Sequence, residues 1–291
     1  MGRRRSKRPD SGVRGCIICN KPPDITSHGV VDLVRKSLGT HKVGHAGTLD
    51  PAATGVLVIG VGVGTKLLQF VTGADKRYVG NITFGSETST LDAEGEVTAT
   101  YEMSVTPAEV QEAASSFVGD IEQIPPMVSA VRVNGKRLHQ LARDGVEVER
   151  QPRPVSVFEF ATAPTEDEKV YRAAVHCSSG TYIRTLAADV GTALGGGAHL
   201  SSLQRTSVGP FLLEESCEME DLVLLDEAEL LRGMPVLEVD DHTAQKVRNG
   251  RPLGSSSESG RFAVQSSDGI LLAVYHVVDG ELRPIRVLAG K

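Results

Sequence analysis

The stretch GHAGTLDPAATGVLVIGVGVGTK, residues 44–66, places a carboxylate between two kinds of backbone. Ahead of Asp50, His45, Gly47 and Thr48 form a polar, flexible turn. Behind it, Val56 to Val61 is an apolar run of strand-forming residues, the pattern of a strand covered on both faces. Asp50-Pro51 is an ordinary turn pair. A carboxylate fixed at the mouth of a buried strand is also the way an activated group is mounted, so both readings stand at this point. The glycines of GVGVGTK do not make a phosphate loop, because the order is Gly-Thr-Lys where Gly-Lys-Ser/Thr is needed; they read as a cap and a glycine turn.

Outward from this stretch, helix and strand patterns alternate. Cys16 to Cys19 reads as a strand, and Ser27 as the cap of a helix with Val30, Val31, Val34 and Leu38 on one face and Gly39 past its end. Thr65 to Thr72 reads as a short helix closed by Gly73, and Tyr78 to Phe84 alternates like a half-exposed strand. Thr106-Pro107-Ala108-Glu109 is a capping box, predicting a helix to Phe117 that stops before Gly119. Val170 to Cys177 is another strand. Ile183, Leu186, Ala187, Val190 and Leu194 then form a helix stripe, with Arg184 in the first turn, where the helix dipole disfavours a cation and its presence needs another cause. Residues 124–154 lie between prolines and contain Arg132, Arg137, Arg143, Arg150 and Arg153. From about residue 236 a small β-rich unit follows, with strands at Phe262 to Gln265 and Ile270 to Val278. The expected class is α+β: a basic arm (1–14), a large unit around a mixed sheet (15–235), and a small C-terminal unit (236–291).

The chain of 291 residues has a formal net charge of −6, but the charge is uneven. Residues 210–241 hold eleven acidic residues and one base, Arg232, so the remainder is basic; residues 1–50 carry ten Lys/Arg against four Asp. Such a surplus suits a polyanionic partner or a solubilising tail. No apolar run is long enough to cross a bilayer, and a cytoplasmic protein is expected. Four cysteines without a paired framework fit reduced thiols. Cys16, Cys19 and Cys177 could make a zinc set, although CIIC also reads as apolar strand packing. TLDAEGE has the flavour of a calcium loop without its spacing.

The stretch at 44–66 resembles the signature of the TruB family of tRNA pseudouridine-55 synthases, whose G-H-x-G-x-L-D-P motif carries the catalytic aspartate. The resemblance continues in NKPPDITSHGVV at Asn20, DKRYVGNITFGSETSTLDAEGE at Asp75, PPMVSAVRVNGKRLHQLARDGVEVERQPRPV at Pro125 and CSSGTYIRTLAADVGTALGGGAHLSSLQRTSVGPF at Cys177. Val128 and His139 depart from aromatic residues common in the family.

This resemblance implies a pseudouridine synthase-like catalytic domain with a small PUA-like C-terminal domain. It implies Asp50 as nucleophile, Tyr78 as the residue packed on the target base and the proton acceptor, and Arg184 as the ion-pair partner of Asp50. By the same resemblance His45 steadies the gap left by the flipped base, and Lys21, Tyr182 and Leu200 occupy other pocket positions. The insertion at 124–154, with Arg132, Arg137 and Arg143, corresponds to an RNA clamp. The expected partner is the tRNA T-arm, taken by a monomer without an obligatory protein partner. Breaking N1–C1′ and joining C5 to C1′ involves no redox step and no phosphate energy, so neither metal nor cofactor is expected. Two alternatives remain: a guide-RNA-dependent relative, and a tRNA-folding chaperone.

Overall fold

The computed structural model describes residues 11–129, 131–133, 136–138, 145–146, 148–255 and 258–288. In chain order the first part contains β1 (Gly15–Lys21), α1 (Ser27–Leu38), β2 (Val43–Ala46), β3 (Thr54–Val61), a 3-10 turn (Gly62–Lys66), α2 (Leu68–Thr72), β4 (Lys76–Phe84), β5 (Ser86–Thr88) and β6 (Val97–Thr100). Then come α3 (Pro107–Ser115), β7 (Gly119–Gln123), β8 (Arg132–Val133), β9 (Lys136–Arg137), β10 (Arg153–Pro164), β11 (Val170–Cys177), α4 (Ile183–Ala193), β12 (Ala198–Val208) and β13 (Phe211–Leu212). The C-terminal part has β14 (Val236–Val239), α5 (Asp241–Arg248), β15 (Leu253–Ser255), β16 (Arg261–Ser266), β17 (Leu271–Val278) and β18 (Glu281–Val287).

The large sheet runs β1-β3-β12-β4-β11-β10-β7, with β2 beside β3 and β13 beside β12. It is mixed, because β3 and β12 run parallel (Thr54 opposite Gln204, Gly55 opposite Arg205) while the other neighbours in the row are antiparallel. This crossing is tight. Gly55 sits at φ +102°, and a Cβ there would lie 2.2 Å from the Arg205 carbonyl oxygen, so only glycine fits.

The apolar run at 56–61 is covered on both faces, as its pattern implies. On one side Ile17, Cys19, Leu57 and Ile59 pack against Val30, Val31 and Val34 of α1, each valine contributing on the order of 1.5–3 kcal/mol by burial. On the other side Cys16, Ile18, Val56 and Val58 join Phe211 and Leu230, and then Ala263, Leu271, Val274 and Leu288 of the C-terminal sheet. A third core lies between the sheet and α3 and α4, built from Ile82, Phe84, Phe160, Val175, Leu186 and Val190. The C-terminal sheet, β14-β16-β17-β18-β15, packs on α5.

Three local readings change. Thr26 caps α1, its hydroxyl accepting from the Gly29 amide at 2.9 Å. Ser27 is buried instead, where its hydroxyl donates to the Leu49 carbonyl and accepts from the Leu49 amide. Residues 65–72 divide into a 3-10 turn and the short α2. The capping box of α3 is present, but the helix ends at Ser115 because the Phe117 and Val118 amides tighten onto the Ala114 and Ser115 carbonyls. The cysteines fall in separate cores: Cys16 and Cys19 on opposite faces of β1, Cys177 in the third cluster. Among the described residues, no three His, Cys, Asp or Glu side chains meet where they could hold a metal ion. Burial pushes Cys16 and Cys19 up to about 12 and Cys177 to about 11, which keeps them as protonated apolar fillers.

Candidate active site

Asp50 lies in the loop from β2 to β3, and that loop is tied from three directions. Ser27 brackets Leu49 from the start of α1. Lys21, at the end of β1 and without exposed surface, donates from Nζ to the carbonyls of Pro22, Ile25 and Pro51 at 2.8, 2.7 and 2.8 Å. Gly47, at φ +88°, turns the chain before the aspartate, and Arg205 Nη2 donates to its carbonyl at 3.1 Å. Burial pushes Lys21 down to about 8, with Asp50, Asp24 and Glu94 opposing.

Arg184, in the first turn of α4, is the group this loop meets. Its Nε lies 3.1 Å from Asp50 Oδ2, and its Nη1 lies 3.0 Å from Asp92 Oδ2. The same guanidinium donates to the Thr90 and Val128 carbonyls at 3.0 and 2.9 Å. One buried cation therefore bridges two carboxylates, which offsets both its own desolvation and its unfavourable helix position. Asp92 reaches it on the excursion between β5 and β6, held against β12 where the Ala93 amide donates to the Leu200 carbonyl and the Leu200 amide to the Leu91 carbonyl. Burial raises the Asp50 carboxyl above the ordinary range; Arg184 and Lys21 pull it down, and Asp92 pushes it up.

Asp50, Arg184 and Tyr78 line one cavity of about 400 Å³ with Lys76, Tyr182, Leu203, Arg205 and Ser129. Tyr78 is 8% exposed, and its hydroxyl lies against the Arg205 guanidinium. Burial pushes this phenol up, with Arg205 opposing. Tyr182 precedes α4, where Gln123 at the end of β7 holds its peptide on both sides: the Tyr182 amide donates to Oε1 at 2.9 Å and Nε2 donates to the Tyr182 carbonyl at 3.2 Å.

The expected residues thus divide. Asp50, Tyr78, Arg184 and Tyr182 share the cavity, and Lys21 supports its loop from beneath. His45 is on β2, outside the cavity lining, with a buried Nδ1 that has no hydrogen-bond partner; burial lowers its pKa. Leu200 packs in the core of the sheet and also lines, with Asp50, Asp92 and Arg184, a smaller neighbouring pocket, while Leu203 on the same strand lines both. Arg132 and Arg137 fall on β8 and β9, a short antiparallel pair. Arg143, His139 and residues 1–10 of the basic arm lie outside the described residues. Asp92, Arg205, Lys76, Gln123 and Leu203 were missed as site residues. Asp92 alone had a local signal, the polar TLDAEGE turn.

Residues 35–183 match the family model described as TruB family pseudouridylate synthase (N terminal domain). Residues 184–234 match a tRNA pseudouridylate synthase B C-terminal domain, and residues 234–289 a tRNA pseudouridine synthase II C-terminal domain. The tRNA pseudouridine synthase B of Symbiobacterium thermophilum is 47% identical over 82% of this chain and 83% of that protein. That of Saccharophagus degradans is 39% identical over 99% of both. A solved Cbf5-Nop10-Gar1 complex contains a chain of the same fold, with TM-score 0.73 and 24% identity over 94% of this chain and 85% of that one. An aspartate paired to a buried arginine beside a tyrosine, on a chain matched by these domains almost throughout, leads to one conclusion: the chain belongs to the TruB family and is a tRNA pseudouridine synthase, an isomerase.

Proposed function

We propose that the chain isomerises one uridine of the tRNA T-arm, position 55, with Asp50 as the nucleophile. The observation that carries this reading is the Asp50–Arg184 contact at 3.1 Å, which favours the ionised form of a carboxyl at the wall of a cavity that also presents Tyr78. The target base leaves its stack at a cost of a few kcal/mol and enters the cavity. Tyr78 packs on it and takes the C5 proton while its own hydroxyl proton passes on toward the turned ring, which must gain one at N1, because burial keeps the phenol protonated; His45 steadies the gap left behind. Tyr182 lines the pocket, and Leu200 belongs to the sheet that backs it. Arginine contacts from 124–154, Arg132, Arg137 and Arg143 among them, offset the flipping cost by binding phosphates.

In this reading residues 15–235 form the catalytic domain and 236–291 a PUA-like RNA-binding domain. The protein acts as a cytoplasmic monomer with no guide RNA and no cofactor. Among the described residues no helix is long and apolar enough to cross a membrane. The test is tritium release from a tRNA transcript labelled at C5 of uridine, using purified protein with no metal or guide RNA added. Native protein should release one tritium per tRNA, and Asp50→Asn none while still binding tRNA. Binding without release by the native chain would favour the guided or chaperone alternatives, and release at another position would remove the T-arm assignment.

A further inference from the structure

Two buried cations in the cavity take no part in the chemistry of the reading above. Arg205 has no exposed surface and Lys76 is 6% exposed, yet both line the cavity beside Asp50 and Tyr78. Arg205 is the cross-strand partner of Tyr78, and Lys76 lies two residues before Tyr78 on the same face of β4. The two cations flank Gly47, where a Cβ would meet Lys76 Cε at 3.4 Å and Arg205 Nη1 at 3.5 Å. Apart from the Tyr78 hydroxyl beside Arg205, the two cations donate to carbonyls: Thr72 and Ala74 for Lys76, Val56 and Gly47 for Arg205. Among the described residues no carboxylate forms an ion pair with either.

Holding two cations together in this way is costly. Burial, then Arg205, pushes Lys76 down to about 8. Preset positive charge of this kind gains its value when an anion develops beside it. The reaction makes such an anion. When N1–C1′ breaks, its electron pair leaves with the uracil, and the ring carries a negative charge over N1, O2 and O4. The charge is spent when C5 bonds to C1′; the C5 proton then leaves, and N1 ends protonated. Attack of Asp50 at C6 would place the same charge on O4, so every route creates it.

The geometry points to Arg205 and Lys76 as an electrostatic cradle for the uracil anion. A phosphate stays with the RNA backbone at the cavity mouth, whereas these cations lie on the inner wall, where a flipped base reaches. The inference rests on Asp50 being the catalytic aspartate, and adds the groups that receive the departing charge.

The test compares full-length native protein with Lys76→Met in single turnover, on tRNA carrying uridine or 5-fluorouridine at the target, with nucleosides separated after digestion and tRNA affinity measured in parallel. Lys76→Met should be roughly 10²–10³-fold slower on uridine, with tRNA affinity within about threefold of native. Fluorine stabilises the ring anion inductively, so the deficit should shrink at least about tenfold on 5-fluorouridine. Lys76→Arg should recover most of the rate. Should Lys76→Met fail to fold, Lys76→Gln removes the charge and keeps donors for the Thr72 and Ala74 carbonyls. An equal deficit on both substrates, or weaker binding at an unchanged rate, would overturn the inference, the second outcome marking a phosphate contact. Failure of the underlying reading looks different: the native protein itself would not turn over.

Discussion

Replacing Arg184 by methionine removes the cation that Asp50 and Asp92 share, and the consequence can be worked from the contacts. Unit charges about 4 Å apart at an effective dielectric near 20 attract by about 4 kcal/mol, and breaking a buried pair costs 3–5 kcal/mol. The Asp50 side chain is 39% exposed, so solvent screening brings the figure to about 3 kcal/mol. That corresponds to about two decades in the ratio of ionised to protonated carboxyl, or about two units of pKa. Burial already raises the Asp50 carboxyl, and Arg184 is the largest opposing influence. Without it Asp92 remains as an uncompensated like charge, and Asp50 shifts further toward its protonated form. A raised carboxyl is ionised only above its pKa, so activity is lost as pH falls through that value, and the variant loses it over a higher range. Single-turnover tritium release should therefore lose its acid limb about two pH units higher than in the native protein, with the full ~10²-fold deficit on the acid side of the native limb and recovery toward alkaline pH, and with tRNA binding retained. Arg184→Lys should lie between the two, since one ammonium cannot serve two carboxylates and two carbonyls at once. A deficit of equal size at every pH would refute the argument and leave Arg184 a structural group.

Lys21→Met leaves three carbonyls without their donor, at about 1 kcal/mol each, while relieving the burial of an ammonium. In urea the stability of the native chain relative to the variant should grow with pH from about 8 to 10.5, where at Lys21 the unfolded chain alone holds the proton; with its Pro51 tether gone, the variant should also lose about 10²-fold in rate. Gly55→Ala forces a Cβ onto the Arg205 carbonyl at 2.2 Å and should destabilise by more than about 3 kcal/mol in chemical unfolding. Thr106→Ala opens the capping box of α3 and should cost about 1 kcal/mol in the same measurement with tritium release unchanged.

What the chain reveals locally and what it conceals follow from the range of the interactions. The stripe Val30, Val31 and Val34, the capping box at Thr106 and the boundaries of β11 depend on neighbours within a few residues, and each is legible. Thr26 and Ser27 are both capping residues; Leu49, an element away, decides which hydroxyl is free to cap. Arg184 could be singled out because a cation at a helix start is locally unfavourable, although its second partner, Asp92, arrives on a distant excursion and carries no such mark. Arg205 is the hardest case. In LQRTSV it occupies an ordinary strand position, and its complete burial depends on the crossing with Gly55, which no local pattern contains.

That crossing also orders events during synthesis. β1 and β3 pair with each other early, and β4, β11 and β10 follow as a second run, but in the large sheet the two runs meet through β12 alone, which pairs β3 on one side and β4 on the other. Contacts of such long sequence separation form late because chain closure precedes their reward. In a nascent chain halted before residue 198, the strand runs that carry the Asp50 loop and Tyr78 are not yet hydrogen-bonded into one sheet. The pocket lacks Leu203 and Arg205 until β12 closes the seam, so a product truncated before it has an incomplete site for a flipped base.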